Sequence, residues 1–263
     1  MKNKVTLYFC FLFILSASCL FAQSSSDTQT NFSISPPPLG YPEYPQESSF
    51  SNTMNFTGAY ISADQFSMVG MFLGWVPRYG GDWGAIEGML GMFIMNGEID
   101  TGFGKQSLNF VGFDMTPAFE LPIVNQESFK FIFFGGYDLM LMTTSFTTPD
   151  YIYGSGTMTW TLTTAMYGPL LGMQIHIGFA DTFIFSPFLM MKSMQGSTDV
   201  MTDPAYVDLQ TSYDIPSTTM ISYGFDIIET TSGVTLSGLI NMAGETNDTK
   251  GYTSYIFGVS MKL

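Results

Sequence analysis

The last residues of the chain constrain its fold most strongly. Residues 251–263 read GYTSYIFGVSMKL, and the character of their side chains alternates along the segment. Every second residue back from the terminal carboxylate is large and apolar, whereas the residues between them are mostly small or polar. Side chains of a β-strand point alternately to its two faces. This strand therefore needs an apolar medium on one face and a compact or wet environment on the other.

The first residues indicate export. The segment MKNKVTLYFCFLFILSASCLFAQ has a basic start, an apolar stretch and small residues up to Ala22. This pattern predicts a signal peptide over residues 1–22, with cleavage after Ala22. A retained membrane anchor is one alternative, although the apolar stretch is short for a span. Lipidation at Cys19 is another, and the sequence leaves both open.

Cysteine content and charge exclude several classes of protein. Both cysteines lie in the predicted signal peptide, so the mature chain would carry no disulfide. Acidic residues number 22 against 8 basic ones, which excludes nucleic acid as a partner because phosphates require a basic patch. Charged residues make up only 11% of the chain, and no later segment approaches the roughly 20 apolar residues of a membrane helix. An exported, charge-poor and aromatic-rich chain is typical of a transmembrane β-barrel.

The rest of the chain divides into a tether and a barrel. Residues 23–50 are rich in Ser and Pro, which predicts a disordered tether. Residues 51–263 contain alternating segments that reach the roughly 9 to 11 residues of a tilted membrane strand. We predict an all-β fold, a closed antiparallel up-and-down transmembrane barrel of about ten strands, with eight or twelve left open. The ten candidate strands are 52–62, 66–76, 83–95, 107–121, 129–143, 165–179, 182–193, 218–229, 233–243 and 251–263.

The connections between these segments fall into short and long sets. Long links at 144–164 and 194–217 share one end of the predicted barrel, as do the outer loops of membrane barrels, whose periplasmic turns are short. A four-residue turn from Thr230 to Gly233 would place Asp226 opposite Ser237, both on the polar face.

Two prolines and one turn fit less well. Pro117 and Pro187 fall inside predicted strands, and because proline cannot donate to a sheet ladder we expect a local bulge at each. A two-residue turn at 180–181 would point Lys192 outward. That turn is longer or bulged, or the assignment of faces there is wrong.

Polar residues on the inner faces define a predicted lumen. A barrel of ten strands is close to the size that side chains fill completely. The turn at 122–128 would place Glu120 opposite Lys130 as a cross-strand ion pair. The residues predicted to line the lumen are Glu87, Asp114, Glu120, Lys130, Asp138, His176 and Asp226.

From residue 51 to residue 263 the chain resembles the small bacterial outer-membrane barrels, the group that includes OmpA-type, OmpW-like and omptin barrels. The most specific element is the last strand, which is similar to the assembly signal of that group although the family usually ends in Phe. The resemblance implies the outer membrane of a diderm bacterium, with outer-membrane lipids and the barrel assembly machinery as partners. The residues that match the assembly signal are Tyr255, Phe257, Val259, Met261 and Leu263.

Catalytic and metal-binding patterns are weak. His176 is the one histidine of the chain and lies near a predicted periplasmic turn, whereas omptin-like proteases and barrel acyltransferases use a histidine at the outer rim. We therefore predict that the protein is not an enzyme. The aspartates of the 194–217 link are expected to be solvated, with weak calcium binding as the alternative, and DTGFGK at 100–105 lacks the strand and helix of a phosphate cradle. No cofactor or metal is predicted.

Two functions follow from this interpretation. The first is a structural outer-membrane barrel or a narrow, mildly cation-preferring pore for small solutes, because acids outnumber bases on the inner wall. The second is a surface-exposed adhesin or interaction protein that binds surface ligands through loops 144–164 and 194–217. A periplasmic or secreted β-sandwich is a third class, which the last strand disfavours.

Overall fold

The computed structural model describes residues 43–63, 66–100, 105–149, 156–179, 182–203, 211–244 and 251–263. The predicted signal peptide and residues 23–42 of the predicted tether lie outside these residues. The described part of the chain contains no helix long and apolar enough to span a membrane.

Ten antiparallel strands form one closed barrel in which each strand pairs with its neighbours in sequence. The barrel closes because β1 pairs with both β2 and β10. The predicted fold class is therefore confirmed, and the count is ten rather than eight or twelve. The strands are β1 (Ser49–Ala63), β2 (Phe66–Gly81), β3 (Gly84–Asp100), β4 (Lys105–Gln126), β5 (Phe129–Pro149), β6 (Thr157–Phe179), β7 (Phe183–Asp203), β8 (Thr211–Glu229), β9 (Val234–Ala243) and β10 (Tyr252–Lys262).

Alternation along each strand separates an apolar outer wall from the lumen. Phe257 is 68% exposed, whereas its neighbour Ile256 is 1% exposed. On β4 the same contrast is seen between Phe113, which is 58% exposed, and Asp114, which is 2% exposed. The two faces predicted from period-2 alternation are those of the structure, because one-sided burial fixes strand register.

Two hairpins test the predicted turns. Glu229 lies opposite Val234, and Asp226 lies opposite Ser237, as the four-residue turn requires. Between β6 and β7, Phe179 lies opposite Phe183, so the turn is longer than two residues. The longer turn keeps Lys192 on the inner face, where it is buried.

The bulges predicted at Pro117 and Pro187 are wrong. Around Pro117 the pairing of β4 with β5 omits two positions and resumes in the same register, from Met115 opposite Leu139 to Ala118 opposite Gly136. Pro187 interrupts the β6–β7 pairing in the same way. Each residue bonds to one neighbouring strand only, so a proline removes local bonds without requiring an extra residue.

Register shifts occur elsewhere. One lies between Pro122 and Val124 in the β4–β5 pair. The other lies between Met194 and Gly196 in the β7–β8 pair. The sequence does not predict either shift, because Pro117 and Pro187, which were expected to cause bulges, do not shift the register.

The long loops predicted at 144–164 and 194–217 are mostly strand. Pairing of β5 with β6 continues to Pro149 opposite Thr157, and pairing of β7 with β8 continues to Val200 opposite Thr211. Threonine-rich sequence was interpreted as loop because it is polar, yet threonine favours strands. Residues 150–155 and 204–210 lie outside the described residues.

The outer wall changes character part-way along these strands. On β5 the outward residues are apolar from Phe129 to Leu141, a stretch that covers roughly 30 Å at ~3.3 Å per residue and a tilt of ~40°. Leu141 lies opposite Ala165, and the next outward pair is Thr143 with Thr163, whose hydroxyl oxygens are 2.8 Å apart. The apolar belt therefore has the height of a bilayer, and the strands continue beyond it.

The continuing strands form one sheet on one side of the barrel. We call it the β5–β8 extension, and its strands stay paired from β5 through β6 and β7 to β8. On the opposite side β1 and β2 end at Ala63 and Phe66, close to the edge of the belt. The extension consists of residues 143–149, 157–163, 193–203 and 211–219.

Candidate functional site: a filled lumen with a polar mouth

Apolar side chains fill the middle of the lumen. Phe93 on β3 lies opposite Gly112 on β4, and a Cβ atom placed on that glycine would be 2.2 Å from the ring of Phe93. Phe134 on β5 lies in the same way against Gly172 on β6. Glycine on one strand thus admits a large ring from the next. The rings and the side chains around them form a packed core, and the largest fully buried members are Phe72, Phe93, Phe134, Lys192, Ile61, Met89, Met95, Ile132, Met166, Leu170 and Met190.

A charged cluster lies within this packed core. The Nζ atom of Lys192 on β7 donates to Oδ2 of Asp138 on β5 at 2.6 Å. The hydroxyl of Thr116 lies 2.9 Å from Oδ1 of Asp138 and 3.0 Å from Oδ1 of Asp114. All four side chains are buried, so the lysine offsets an acidic pair that water does not reach.

A second cluster closes the end of the barrel that carries the short turns. Arg78 on β2 places Nη2 2.8 Å and Nε 3.1 Å from Oε2 of Glu120 on β4. Its Nε is also 3.9 Å from Oε2 of Glu87 on β3. We call this end the polar mouth, defined by Tyr44, Arg78, Glu87, Glu120 and Lys130.

Tyr44, which precedes β1, lies inside the polar mouth. Its hydroxyl donates to Oε2 of Glu120 at 2.8 Å, and its ring lies 4.8 Å from Cζ of Arg78 and 5.3 Å from Nζ of Lys130. Burial, together with the Glu120 carboxylate, raises the pKa of the Tyr44 phenol, so the hydroxyl remains a donor. Aromatic contact with two cations and a charged acceptor holds this side chain in place.

The backbone around Tyr44 is attached to the barrel as well. Arg78 Nη1 donates to the carbonyl oxygen of Glu43 at 2.7 Å, and Lys262 Nζ lies 2.5 Å from Oε2 of Glu43. The predicted tether, residues 23–50, thus includes Glu43 and Tyr44, which contact the mouth, and the first two residues of β1, Ser49 and Phe50. A single buried tyrosine within a polar segment gives too weak a pattern to predict this contact.

The predicted register, in which Glu120 lies directly opposite Lys130, is wrong. Glu120 lies opposite Phe134, and Lys130 lies opposite Asn125. The strands continue into the segment that was predicted as a turn, so the register moves and Arg78 binds Glu120 instead.

The other predicted lumen residues are on the inner face. His176 is 2% exposed, lies opposite Lys130, and neither of its ring nitrogens has a hydrogen-bond partner in the structure. Asp226 is half-buried and accepts a hydrogen bond from Gln174 Nε2 at 3.0 Å. The structure therefore places all seven predicted residues on the inner wall. Asp114 and Asp138 belong to the cluster in the packed core, Glu87, Glu120 and Lys130 belong to the polar mouth, and His176 and Asp226 lie on the inner faces of β6 and β8. Sequence reasoning missed Arg78 and Lys192, whose positions on the inner parity of β2 and β7 were the available signal.

Tyr255, Phe257, Val259 and Met261 of the predicted assembly signal lie on the outward face of β10, and Leu263 follows the strand. The five residues are exposed to different degrees, from 40% for Tyr255 to 68% for Phe257. They continue the apolar belt across the closing seam between β10 and β1. Their part in assembly stays a prediction.

Known proteins were compared at the levels of sequence and structure. No family model matches the chain, and no curated protein matches it. The outer membrane protease OmpT of Escherichia coli is similar in structure, with 9% identity, a TM-score of 0.51, and coverage of 82% of this chain and 96% of OmpT. The chain has the fold of the bacterial outer-membrane β-barrels.

Weaker matches belong to the same class. An outer membrane channel from Pseudomonas putida F1 matches with 9% identity and a TM-score of 0.39, covering 88% of this chain and all 100% of the channel. The transport unit of the autotransporter AIDA-I from Escherichia coli has 7% identity and a TM-score of 0.34, covering 85% and 92%. At these identities the likeness concerns the fold alone. The outer-membrane barrel fold and a belt of bilayer height together locate the protein in an outer membrane.

Proposed function

We propose that this protein is a sealed outer-membrane barrel that anchors the β5–β8 extension as a binding platform at the cell surface. The observation that carries the proposal is the contrast between the two ends of the molecule. At one end the strands continue well past the apolar belt, and at the other the mouth is closed by Tyr44 and its partners. A barrel with only a structural role in the membrane would not need strands that continue beyond the apolar belt.

The sealed lumen supports an anchor rather than an open channel. Phe72 and Phe93 lie opposite each other across β2 and β3, both 1% exposed. The buried Lys192–Asp138 pair and the buried methionines add to this packed core. Small barrels filled by their own side chains leave no aqueous path.

The outer face of the extension is suited to polar recognition. Thr143 and Thr147 on β5 lie opposite Thr163 and Thr159 on β6, which gives a two-stranded surface of hydroxyl groups. Hydroxyl groups both donate and accept hydrogen bonds, so such a surface can contact sugars or polar peptides. The regular spacing of the strands fixes where these groups lie.

The charge of the extension restricts its partner. Asp199, Asp203 and Asp214 are exposed on β7 and β8, and the described residues of the extension include no lysine or arginine. A partner of this surface is therefore expected to be uncharged or positively charged. Acidic polymers such as nucleic acid are disfavoured.

Labelling of intact cells tests the location of the platform. The mature chain has no cysteine if cleavage follows Ala22, so single substitutions report without background. Thr147→Cys and Ser212→Cys should react with a membrane-impermeant maleimide on intact cells. Ser232→Cys, in the β8–β9 turn, should react only after the outer membrane is opened. Reaction of Ser232→Cys alone on intact cells would contradict the proposal.

Binding is tested with a shortened protein. A variant in which Thr143 is joined to Thr163 and Ser193 to Thr219 by short turns should keep the belt and the mouth. Adhesion of cells to surfaces coated with oligolysine or with neutral glycans should fall with this variant and stay unchanged with a variant altered only at Ser232. Adhesion that does not depend on the extension would contradict the platform.

A narrow, cation-preferring pore is the second candidate. Its support is the excess of acids over bases on the inner wall, where Glu87, Asp114, Glu120, Asp138 and Asp226 outnumber Arg78, Lys130 and Lys192. Such a pore would require Tyr44 and the packed core to move. We also propose, from the apolar face of β10, that the barrel assembly machinery inserts this chain.

A further inference from the structure

The lumen is filled with methionine where leucine would provide the same apolar volume. Among the buried apolar side chains of the described residues, ten are Met and only Leu170 and Leu239 are Leu. Among the exposed large apolar side chains, six are Met and seven are Leu. The chain therefore prefers methionine inside the barrel and not on its outer wall. The buried methionines are Met68, Met89, Met95, Met140, Met142, Met158, Met166, Met190, Met194 and Met220.

Burial alone does not account for this preference. Leucine and methionine exchange at low cost in packed interiors because their volumes are similar. The difference between them is the thioether, which is flexible, polarizable and a ligand for soft metal ions. One lumen thioether already contacts a polar group, since the hydroxyl of Tyr252 lies 2.8 Å from Sδ of Met220.

Four of these residues come together on three neighbouring strands. Met140 on β5 lies directly opposite Met166 on β6, and both are on the inner face. Met142 is the next inward residue of β5. Met166 lies opposite Gly196 of β7, and Met194 is the adjacent inward residue of that strand. Met140 and Met166 are direct cross-strand partners, whose Cβ atoms are about 5 Å apart. Met142 and Met194 occupy diagonal positions relative to Met166, at about 7 to 8 Å, so the four flexible side chains line one part of the lumen.

A carboxylate with a free oxygen lies beside the same group. Asp114 on β4 is directly opposite Met140 and is 2% exposed. Its Oδ1 accepts from Thr116, whereas its Oδ2 has no hydrogen-bond partner in the structure. An unpartnered carboxylate oxygen in a packed lumen is costly, and a cation beside it removes that cost.

We propose that the lumen binds a soft monovalent cation, Cu(I) or Ag(I), through the thioethers of Met140, Met142, Met166 and Met194, with the carboxylate of Asp114 as the counter-charge. Neutral thioethers with one carboxylate match a single positive charge. The described residues contain no group of three or more His, Cys, Asp or Glu that could hold a metal ion, so the harder divalent ions have no comparable site. The binding site is independent of what the β5–β8 extension binds.

Further buried methionines lie between the β5–β8 extension and this site. Met158 lies further along the inward face of β6, within the extension, and is 3% exposed. Met68, on β2, and Met142, on β5, lie closer than Met140 to the end of the barrel that is opposite the polar mouth. A soft cation that enters between these side chains meets thioethers before it reaches Asp114.

Titration of the refolded chain from residue 23 onward, which lacks the thiols of Cys10 and Cys19, with silver nitrate in detergent tests the proposal. Bound silver is measured by equilibrium dialysis and mass spectrometry in nitrate buffer, against an excess of sodium and potassium. We expect about one Ag(I) per chain, without competition from the hard cations. Replacing Met140, Met142, Met166 and Met194 together by Leu should weaken binding at least tenfold while the heat-modifiable folded band and the strand circular dichroism persist.

Two further variants make the test specific. Replacing the four outward residues Met71, Met92, Met115 and Met191 by Leu removes as many thioethers and should leave binding unchanged. Asp114→Asn should weaken binding about tenfold. The proposal is overturned if the parent binds no Ag(I), if the lumen variant binds as tightly as the parent, or if the outward variant loses binding to the same extent.

Discussion

Arg78 and Glu120 meet across the intervening strand β3, with Arg78 Nη2 2.8 Å from Glu120 Oε2 and both side chains almost fully buried. This pair, rather than Glu120 with Lys130, closes the polar mouth. Removal of one partner from a buried ion pair leaves an uncompensated charge, which costs about 3 to 5 kcal/mol.

Stability of the mouth depends on that pair. Arg78→Met should lower the free energy of unfolding by about 3 kcal/mol or more, whereas Arg78→Met combined with Glu120→Leu should cost less than the single change. Urea unfolding of the barrel in lipid vesicles measures both. The matched cycle of Lys130→Met with Glu120→Leu should give a smaller coupling energy. Equal coupling in the two cycles would show that Arg78 is not the specific partner.

Lys192 should matter more than a lysine at the surface. Its Nζ is 2.6 Å from a buried carboxylate of Asp138, so Lys192→Met should cost about 3 to 5 kcal/mol. Lys262 also forms an ion pair, with Glu43, but both side chains are partly exposed, and Lys262→Met should cost at most about 1 kcal/mol. Unfolding free energies of the two variants, compared under the same conditions, measure the difference. Similar losses would mean that the Lys192 cluster is hydrated.

Glycine is required where a ring lies against it. A Cβ atom at Gly112 would meet the ring of Phe93 at 2.2 Å and the carbonyl oxygen of Leu141 at 2.6 Å. Gly112→Ala should therefore destabilise the barrel by about 1 to 3 kcal/mol. Gly58→Ala is the control, because a Cβ there meets no atom within 4 Å. An unchanged free energy of unfolding for Gly112→Ala would show that the core rearranges easily.

The position of the apolar belt predicts how the cost of an outward-facing arginine depends on its depth in the membrane. Phe257 is 68% exposed near the middle of the outer face of β10, and Phe257→Arg should cost roughly 2 to 4 kcal/mol. Thr253→Arg, on the same face of β10 but beyond the last apolar outward residue, should cost about 1 kcal/mol or less. Folding yields into vesicles measure both variants. Equal yields would place the belt elsewhere.

Period-2 alternation was sufficient to predict which side chains face the membrane, because a slip of one residue would turn a whole apolar face into the lumen. The turn from Thr230 to Gly233 was predictable for the same reason. Strand ends were not, since threonine in the β5–β8 extension is as compatible with a strand as with a loop. The Arg78–Glu120 pair depends on register across three strands. Because residues 122–126 are strand rather than turn, Phe134 and not Lys130 lies opposite Glu120.

Single-channel recording in planar bilayers tests the central claim, which is that the packed core and the polar mouth seal this barrel. We expect no resolved current from the refolded protein at neutral pH. A variant in which Phe72, Phe93 and Tyr44 are replaced by Ala should conduct, because it removes the rings that fill the cross-section and close the mouth. Steady cation-selective current from the unmodified protein, reduced by charge changes at Glu87 or Asp226, would contradict the sealed anchor and favour the pore.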